Sequence, residues 1–220
     1  KPWTKRKILQ SYMRLFDPLG LLMPFLMSAR IMFKELWDMQ IDWDVPVEAS
    51  IETSWDKLFT QREDLDLVNV RRWIKWRPGG SRLAIFTDAS NGAYGGVCYA
   101  FGQGTPKLVF ARGRVNGKKH LTIPTLELLG AEIGVEIAYE VCRALECDPR
   151  EVDFFVDSIN ALTWIRNPSR HVDAYIGRKA AQIREATNPA NWHYVPTSIN
   201  PADVLSRGCS LSRLLDERLW

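Results

Sequence analysis

Four acidic residues, each in a different local setting, are the side chains of this sequence best suited to chemistry. Asp88 ends the apolar run Leu83-Ala84-Ile85-Phe86-Thr87, and Asp157 ends a second one, Val152-Asp153-Phe154-Phe155-Val156. Glu127 lies early in the helix-like stretch Pro124-Thr125-Leu126-Glu127-Leu128-Leu129-Gly130-Ala131-Glu132, and Asp203 follows Asn200-Pro201-Ala202. A carboxylate at the end of a buried strand is costly unless something pairs with it. Several converging carboxylates are what a hard divalent cation such as Mg²⁺ requires. Two such cations can drive an in-line phosphoryl displacement.

Each acid also has a plainer reading. An aspartate after a strand is commonly a turn or cap residue. Glu127 shares its helix with Glu132, Glu136 and Glu140, any of which suits a solvated face. Asp153 competes with Asp157, since an even spacing, here four residues, puts both on one sheet face. Asp157 is the better ligand because it stands at the strand's end, where open α/β sheets gather ligands. Asp203 could simply cap the helix containing Leu205. As a set the four are far more specific than any one alone.

The elements that must hold them follow from periodicity. Up to the break at Pro78-Gly79-Gly80 the chain reads as helical, with Ile8, Leu9, Tyr12, Met13, Leu15 and Phe16 at helical spacing. Asp17-Pro18-Leu19-Gly20 is a turn, Pro24 suits the first turn of a second helix, and Ser50 suits the N-cap of a third, with Glu52 at its positive end. Strands are expected at 82–88, 95–101 and 107–115, with Asn116-Gly117 as a strong turn dipeptide. A helix at about 125–145, a strand at 152–157, helices at about 158–165 and 172–186, a strand at 192–195 and a short terminal helix complete the order β-β-β-α-β-α-α-β-α. That order implies an α/β fold, a mixed sheet flanked by helices.

Composition sets wide bounds. Of 220 residues, 46% are hydrophobic and 25% charged, which suits a globular chain with a real core. A formal charge of +3 permits nucleic-acid binding without arguing for it. Cys98, Cys142, Cys147 and Cys209 form no CxxC pair or zinc pattern, so reduced, mostly buried thiols and an intracellular setting are expected. The apolar stretch from Leu19 to Met32 is interrupted and too short to span a bilayer. No signal-peptide core follows Lys1-Pro2-Trp3-Thr4-Lys5-Arg6, and the two ends suggest a piece of a longer polyprotein.

The segments Phe86-Thr87-Asp88-Ala89-Ser90, Leu126-Glu127-Leu128, Val156-Asp157-Ser158 and Asn200-Pro201-Ala202-Asp203-Val204-Leu205-Ser206-Arg207-Gly208 resemble the four metal-binding blocks of ribonuclease H domains. The resemblance is strongest to LTR-retrotransposon polyproteins of the BEL/Pao group, through Leu121-Thr122-Ile123-Pro124 and Trp192-His193-Tyr194-Val195-Pro196. Phe16-Asp17-Pro18-Leu19-Gly20-Leu21-Leu22 and Trp43-Asp44 resemble the segment joining reverse transcriptase to ribonuclease H in that group. The resemblance implies a ribonuclease H-like, mixed five-stranded sheet at 79–220, preceded by a helical connecting segment at 1–78. It implies hydrolysis of the RNA strand of RNA–DNA hybrids during reverse transcription, by two Mg²⁺ ions (Mn²⁺ as substitute) about 4 Å apart, held by Asp88, Glu127, Asp157 and Asp203 as the catalytic and metal-binding set. The polymerase part of the same polyprotein is the implied partner, in cytoplasmic retroelement particles and away from membranes.

Substrate grip is expected from Arg112, Arg114, Lys118 and Lys119, near His120 and the Asn116-Gly117 turn, and from Arg207. The alternative there is a solvated hairpin. Ser90, Asn91, Ser158 and Asn160 adjoin the acids and are placed to bond a 2′-hydroxyl. A second basic cluster, Arg71, Arg72, Lys75, Arg77 and Arg82 with Trp73 and Trp76, suits either base stacking or a packed linker. The chain departs from the family in carrying Thr125 where a basic residue is common. His193, ten residues before Asp203, and His171, about thirty residues upstream, are only loose matches to the mobile histidine that helps product leave in many ribonucleases H, and that role stays open. Two other readings compete: a module that grips hybrid without cutting, and an integrase- or resolvase-type nuclease acting on DNA. The second acid being a glutamate and the last an aspartate favours ribonuclease H.

Overall fold

The computed structural model describes residues 2–70, 73–102, 104–117, 121–168, 173–216 and 220. Three helices open the chain: α1 (Lys5–Met13), α2 (Met23–Asp38) and α3 (Ala49–Phe59), the last continued by a 3-10 segment, Thr60–Leu67. The strands are β1 (Arg82–Ala89), β2 (Ala93–Phe101), β3 (Lys107–Val115), β4 (Asp153–Val156) and β5 (Trp192–Tyr194). Between and after them lie α4 (Ile123–Leu145), α5 (Ile159–Arg166), α6 (Ala174–Ala186), α7 (Ala202–Arg207) and α8 (Leu211–Asp216). The five strands form one sheet in the order β3-β2-β1-β4-β5. β1 and β3 flank β2 antiparallel, while β4 runs parallel to β1 and β5 parallel to β4. The sheet is therefore mixed, as the element order predicts.

Both faces are covered, so β1 and β2 are buried along most of their length rather than alternating with solvent. On one face Ile85, Cys98, Ala100 and Phe110 pack with Leu128, Ile133, Ile137 and Val141 of α4. On the other, Ala93, Val97, Tyr99 and Ala111 meet Met23 and Met27 of α2 and Ala202 and Leu205 of α7. A further core joins the two ends of the chain: Ile8, Phe25, Phe33, Leu36, Trp55 and Leu58 pack with Val204, Cys209, Leu211 and Leu214. The opening helices thus bury their apolar stripes against the segment that carries Asp203.

Local chemistry explains the joins. The Asp17 carboxylate accepts from the N–H groups of Leu21 and Leu22 at 2.8 and 2.9 Å, capping the entry to α2, and Pro24 sits in that helix's first turn. The Leu19 carbonyl accepts from the Ala111 N–H at 2.8 Å, so this turn covers the open edge of β3. Several expectations need correction. Ser50 lies inside α3, whose N-cap is Glu48. The C-terminus holds two helices rather than one. Asn116-Gly117 closes no hairpin, because β3 leads into α4; the hairpin here is that of β2 and β3, which pair antiparallel. Asn116 instead ties down the β1–β2 loop, its N–H bonding the Gly92 carbonyl and its amide the Asn91 carbonyl. Cys98, Cys142 and Cys209 are buried and Cys147 is half-buried. Among the described residues no helix is long and apolar enough to cross a membrane.

Candidate active site

The parallel register of β1 and β4 brings the two strand-end aspartates together. Thr87 is level with Val156, so Asp88 and Asp157 occupy the next row. Glu127 joins them because α4 lies unusually close to β1. A Cβ on Gly130 would stand 3.0 Å from the Asp88 carbonyl oxygen, and one on Gly134 would stand 2.7 Å from Thr87 Cγ2. These two glycines, one helical turn apart, let the backbone of α4 settle on the strand. One carboxylate oxygen from each of Asp88, Glu127 and Asp157 then lies within 4.8 Å of the others.

The segment after β5 completes the site. Asn200 donates its side-chain amide to the Thr87 carbonyl at 3.0 Å and accepts from the Ala202 N–H at 3.1 Å, pinning the start of α7 beside β1. Gly95 and Gly113 leave room on that face for Leu205, and Gly113 for Met27 as well. Leu205 is fully buried, worth about 1.5–3 kcal/mol in holding α7 down. Ser206, also without exposure, donates its hydroxyl to Asp88 Oδ2. Thr197 donates to Asp157 Oδ2 at 2.7 Å.

The fourth acid is placed differently. Asp203 sits in the first turn of α7, where its Oδ1 takes the Arg207 Nε at 2.6 Å. It stands outside the group of three oxygens, though its charge still reaches Asp88 and Glu127. Asp153 is separated from the site along its strand and is neutralised by Arg82 at 2.6 Å, with His193 at 3.4 Å. Asp157, and not Asp153, thus lies beside Asp88 and Glu127.

Burial governs the electrostatics. Asp88 and Glu127 are only 3% and 6% exposed. Burial, with the charges of Asp88 and Asp157 added, pushes the Glu127 carboxyl up to about 9. Burial also pushes Asp88 to about 7, against the pull of the Ser206 hydroxyl and with the push of Asp157 and Asp203. Such a cluster binds protons where cations are scarce and exchanges them for a divalent ion where one is available. The donor set fits that ion: all are carboxyl oxygens, with Glu127 Oε2 and Asp157 Oδ1 buried and lacking any hydrogen-bond partner.

The expected substrate contacts divide. Asn91 and Asn160 are exposed. Ser90 is engaged, accepting from the Gly92 and Ala93 N–H groups and donating to the Ser206 carbonyl at 2.7 Å. Ser158 caps α5 by accepting from the Ala161 N–H. Arg112 and Arg114, expected as a phosphate-binding pair, bond Glu140 and Glu136 on the acidic face of α4. Lys118, Lys119, His120, Arg71, Arg72 and His171 lie outside the described residues. In the second basic cluster Trp76 packs inward, donating its indole N–H to the Leu145 carbonyl, while Trp73 is 75% exposed. The sequence reading missed Thr197, Asn200 and Ser206 as positioning groups. Two of them stand in the Asn200–Arg207 block, flanking the acid that drew attention.

Comparison with known proteins bears on this arrangement. Residues 4–158 match the family described as Pao retrotransposon-like RNaseH-like domain. No curated protein matches the chain. Among solved structures, RNase H1 from the halophilic archaeon Halobacterium salinarum NRC-1 is similar at 19% identity and a TM-score of 0.43, over 58% of this chain and 94% of that one. The N-terminal RNase H domain of rv2228c from Mycobacterium tuberculosis gives 15% identity and a TM-score of 0.42, over 57% and 94%. A foamy viral protease-reverse transcriptase in complex with dsDNA gives 13% and 0.47, over 87% of this chain and 41% of that one.

Proposed function

The chain belongs to the Pao retrotransposon-like RNaseH-like domain family, and from that premise we propose that it is a metal-dependent ribonuclease H that hydrolyses the RNA strand of RNA–DNA hybrids during reverse transcription of a retroelement. The observation that carries this reading is the convergence of Asp88, Glu127 and Asp157 from three separate elements, with two buried oxygens left open. Mg²⁺ is the proposed ion, with Mn²⁺ as substitute, and Asp88, Glu127 and Asp157 are its proposed ligands, Asp203 joining from α7. When bound, two such ions supply a water acidic enough to attack phosphorus and charge to stabilise the departing 3′ oxygen.

The chain's own residues do the rest. Ser206 and Thr197 hold the Asp88 and Asp157 carboxylates, and the buried walls of α4 and α7 exclude bulk water from their inner faces. Asn91, exposed on the loop after β1, and Asn160, exposed in the first turn of α5, are the proposed contacts to the 2′-hydroxyl that separates RNA from DNA. Ser90 holds the β1–β2 loop and Ser158 caps α5. Arg207, 61% exposed beside Asp203, is the proposed phosphate contact at the site. Arg112 and Arg114 would have to leave Glu136 and Glu140 to serve the same end. The proposed partner is the polymerase part of the same polyprotein, in cytoplasmic retroelement particles.

The test is cleavage of an end-labelled RNA–DNA hybrid in Mg²⁺ and in Mn²⁺, with duplex DNA and single-stranded RNA alongside. Hybrid-specific cutting that falls to background in Asp88→Asn is expected. Hybrid binding without cutting would reduce the domain to a grip module, and cutting of duplex DNA would move it to the integrase or resolvase class.

A further inference from the structure

The two strand-end carboxylates receive hydroxyl groups from the same C-terminal segment. Ser206 donates to Asp88 Oδ2 and Thr197 to Asp157 Oδ2. Neither contact is a by-product of local helix structure. A serine inside a helix ordinarily bonds a carbonyl one turn back. The Ser206 hydroxyl lies 3.2 Å from the Asp203 carbonyl yet makes its short contact with Asp88, 118 residues away in sequence. The Ser206 backbone is itself held, since its carbonyl accepts from Ser90, which in turn collects the Gly92 and Ala93 N–H groups. Asn200 anchors the same segment to the Thr87 carbonyl between these points.

The consequence is geometric. A carboxylate free to rotate about its last bond presents either oxygen, whereas one oxygen engaged by a fixed hydroxyl commits the other. With Oδ2 of Asp157 taken by Thr197, Oδ1 is left buried and without a partner, as is Glu127 Oε2. We propose that Ser206 and Thr197 are positioning residues that orient Asp88 and Asp157 toward a shared divalent cation, so that the C-terminal segment aligns the site as well as contributing Asp203 to it. This inference rests on the metal-site reading above. It assigns the alignment to two hydroxyl groups that act through the carboxylates they bond.

Binding of Mn²⁺ to the whole chain, followed by the electron paramagnetic resonance signal of the free ion, tests it without recourse to activity. Ser206→Ala removes the hydroxyl and little volume, and should raise the half-saturating Mn²⁺ concentration roughly tenfold, the ordinary loss for a group supporting a metal ligand. Thr197→Val should move it in the same direction, while Thr197→Ser, which keeps the hydroxyl, should stay within about twofold of wild type. Hybrid cleavage run in parallel should lose kcat with KM for the hybrid unchanged. Folded Ser206→Ala that binds Mn²⁺ like wild type overturns the proposal. Should that variant fail to fold, the Thr197→Val and Thr197→Ser pair decides, equal affinities overturning it. Wild type that binds Mn²⁺ but leaves hybrid intact would sink the ribonuclease reading alone, and wild type that binds no Mn²⁺ would sink both.

Discussion

Removing the charge of Asp88 should make the metal-free protein less sensitive to pH. In the fold Asp88 holds its proton up to about 7 and Glu127 up to about 9, chiefly because both are buried. In the unfolded chain the same groups release theirs near the ordinary carboxyl values of 3.8 and 4.5. Between pH 5 and 7 the folded state therefore binds more protons than the unfolded state, and its stability falls as pH rises. The loss is about 1.4 kcal/mol per pH unit for each group fully shifted. Two groups over two units set a ceiling of about 5 kcal/mol, and screening through the open side of the cleft brings the expected loss to about 2–3 kcal/mol. At this chain length that lowers Tm by about 5–10 °C. Asp88→Asn keeps an oxygen for the Ser206 hydroxyl but cannot ionise, and it removes one of the charges acting on Glu127. Its loss over the same interval should be about half that of wild type or less. The assay is thermal unfolding by circular dichroism in chelator at pH 5, 6 and 7, wild type beside Asp88→Asn; the difference between them cancels the three histidines. Mg²⁺ at about 100 times its Kd should then restore about 2.7 kcal/mol to wild type at pH 7 and far less to the variant. A chelated wild type whose Tm is flat or rising from pH 5 to 7 would refute the buried-carboxylate argument.

Three further outcomes follow from packing. Gly134→Ala puts a methyl 2.7 Å from Thr87 Cγ2; the clash should cost about 1–3 kcal/mol in urea unfolding and lower hybrid cleavage by lifting Glu127 away from Asp88. Asp153→Asn weakens partly exposed contacts with Arg82 and His193, so it should cost under about 1 kcal/mol and leave cleavage at the wild-type rate. Deleting residues 1–78 strips the cover from Val204, Cys209, Leu211 and Leu214. The remaining piece should unfold at lower urea concentration and bind the dye ANS, as measured by fluorescence, whereas the full chain should not.

The acids and the cations of this chain were unequally legible in its sequence, and the reason is energetic. A carboxylate at the end of a buried strand has no inexpensive resting place, so Asp88 and Asp157 announce a site before any partner is known, and parallel pairing of their strands sets them side by side. Glu127 was legible from its place on the helix, although the two glycines that bring it close, Gly130 and Gly134, went unread. An arginine on a surface is under no such constraint. Arg112 and Arg114 looked like a phosphate site because they cluster in sequence, yet the glutamates that neutralise them lie 28 and 22 residues away on another element. Ser206 was invisible for the same reason of distance, its partner being 118 residues upstream. The helical character of the first third was legible from its periodicity, but its core partners, Val204 to Leu214, come from the far end of the chain. Local pattern thus identifies groups that must be compensated and leaves open which groups compensate them. Buried charges, for which the need is largest, are the ones a single sequence exposes most reliably, and functional sites are built disproportionately from those.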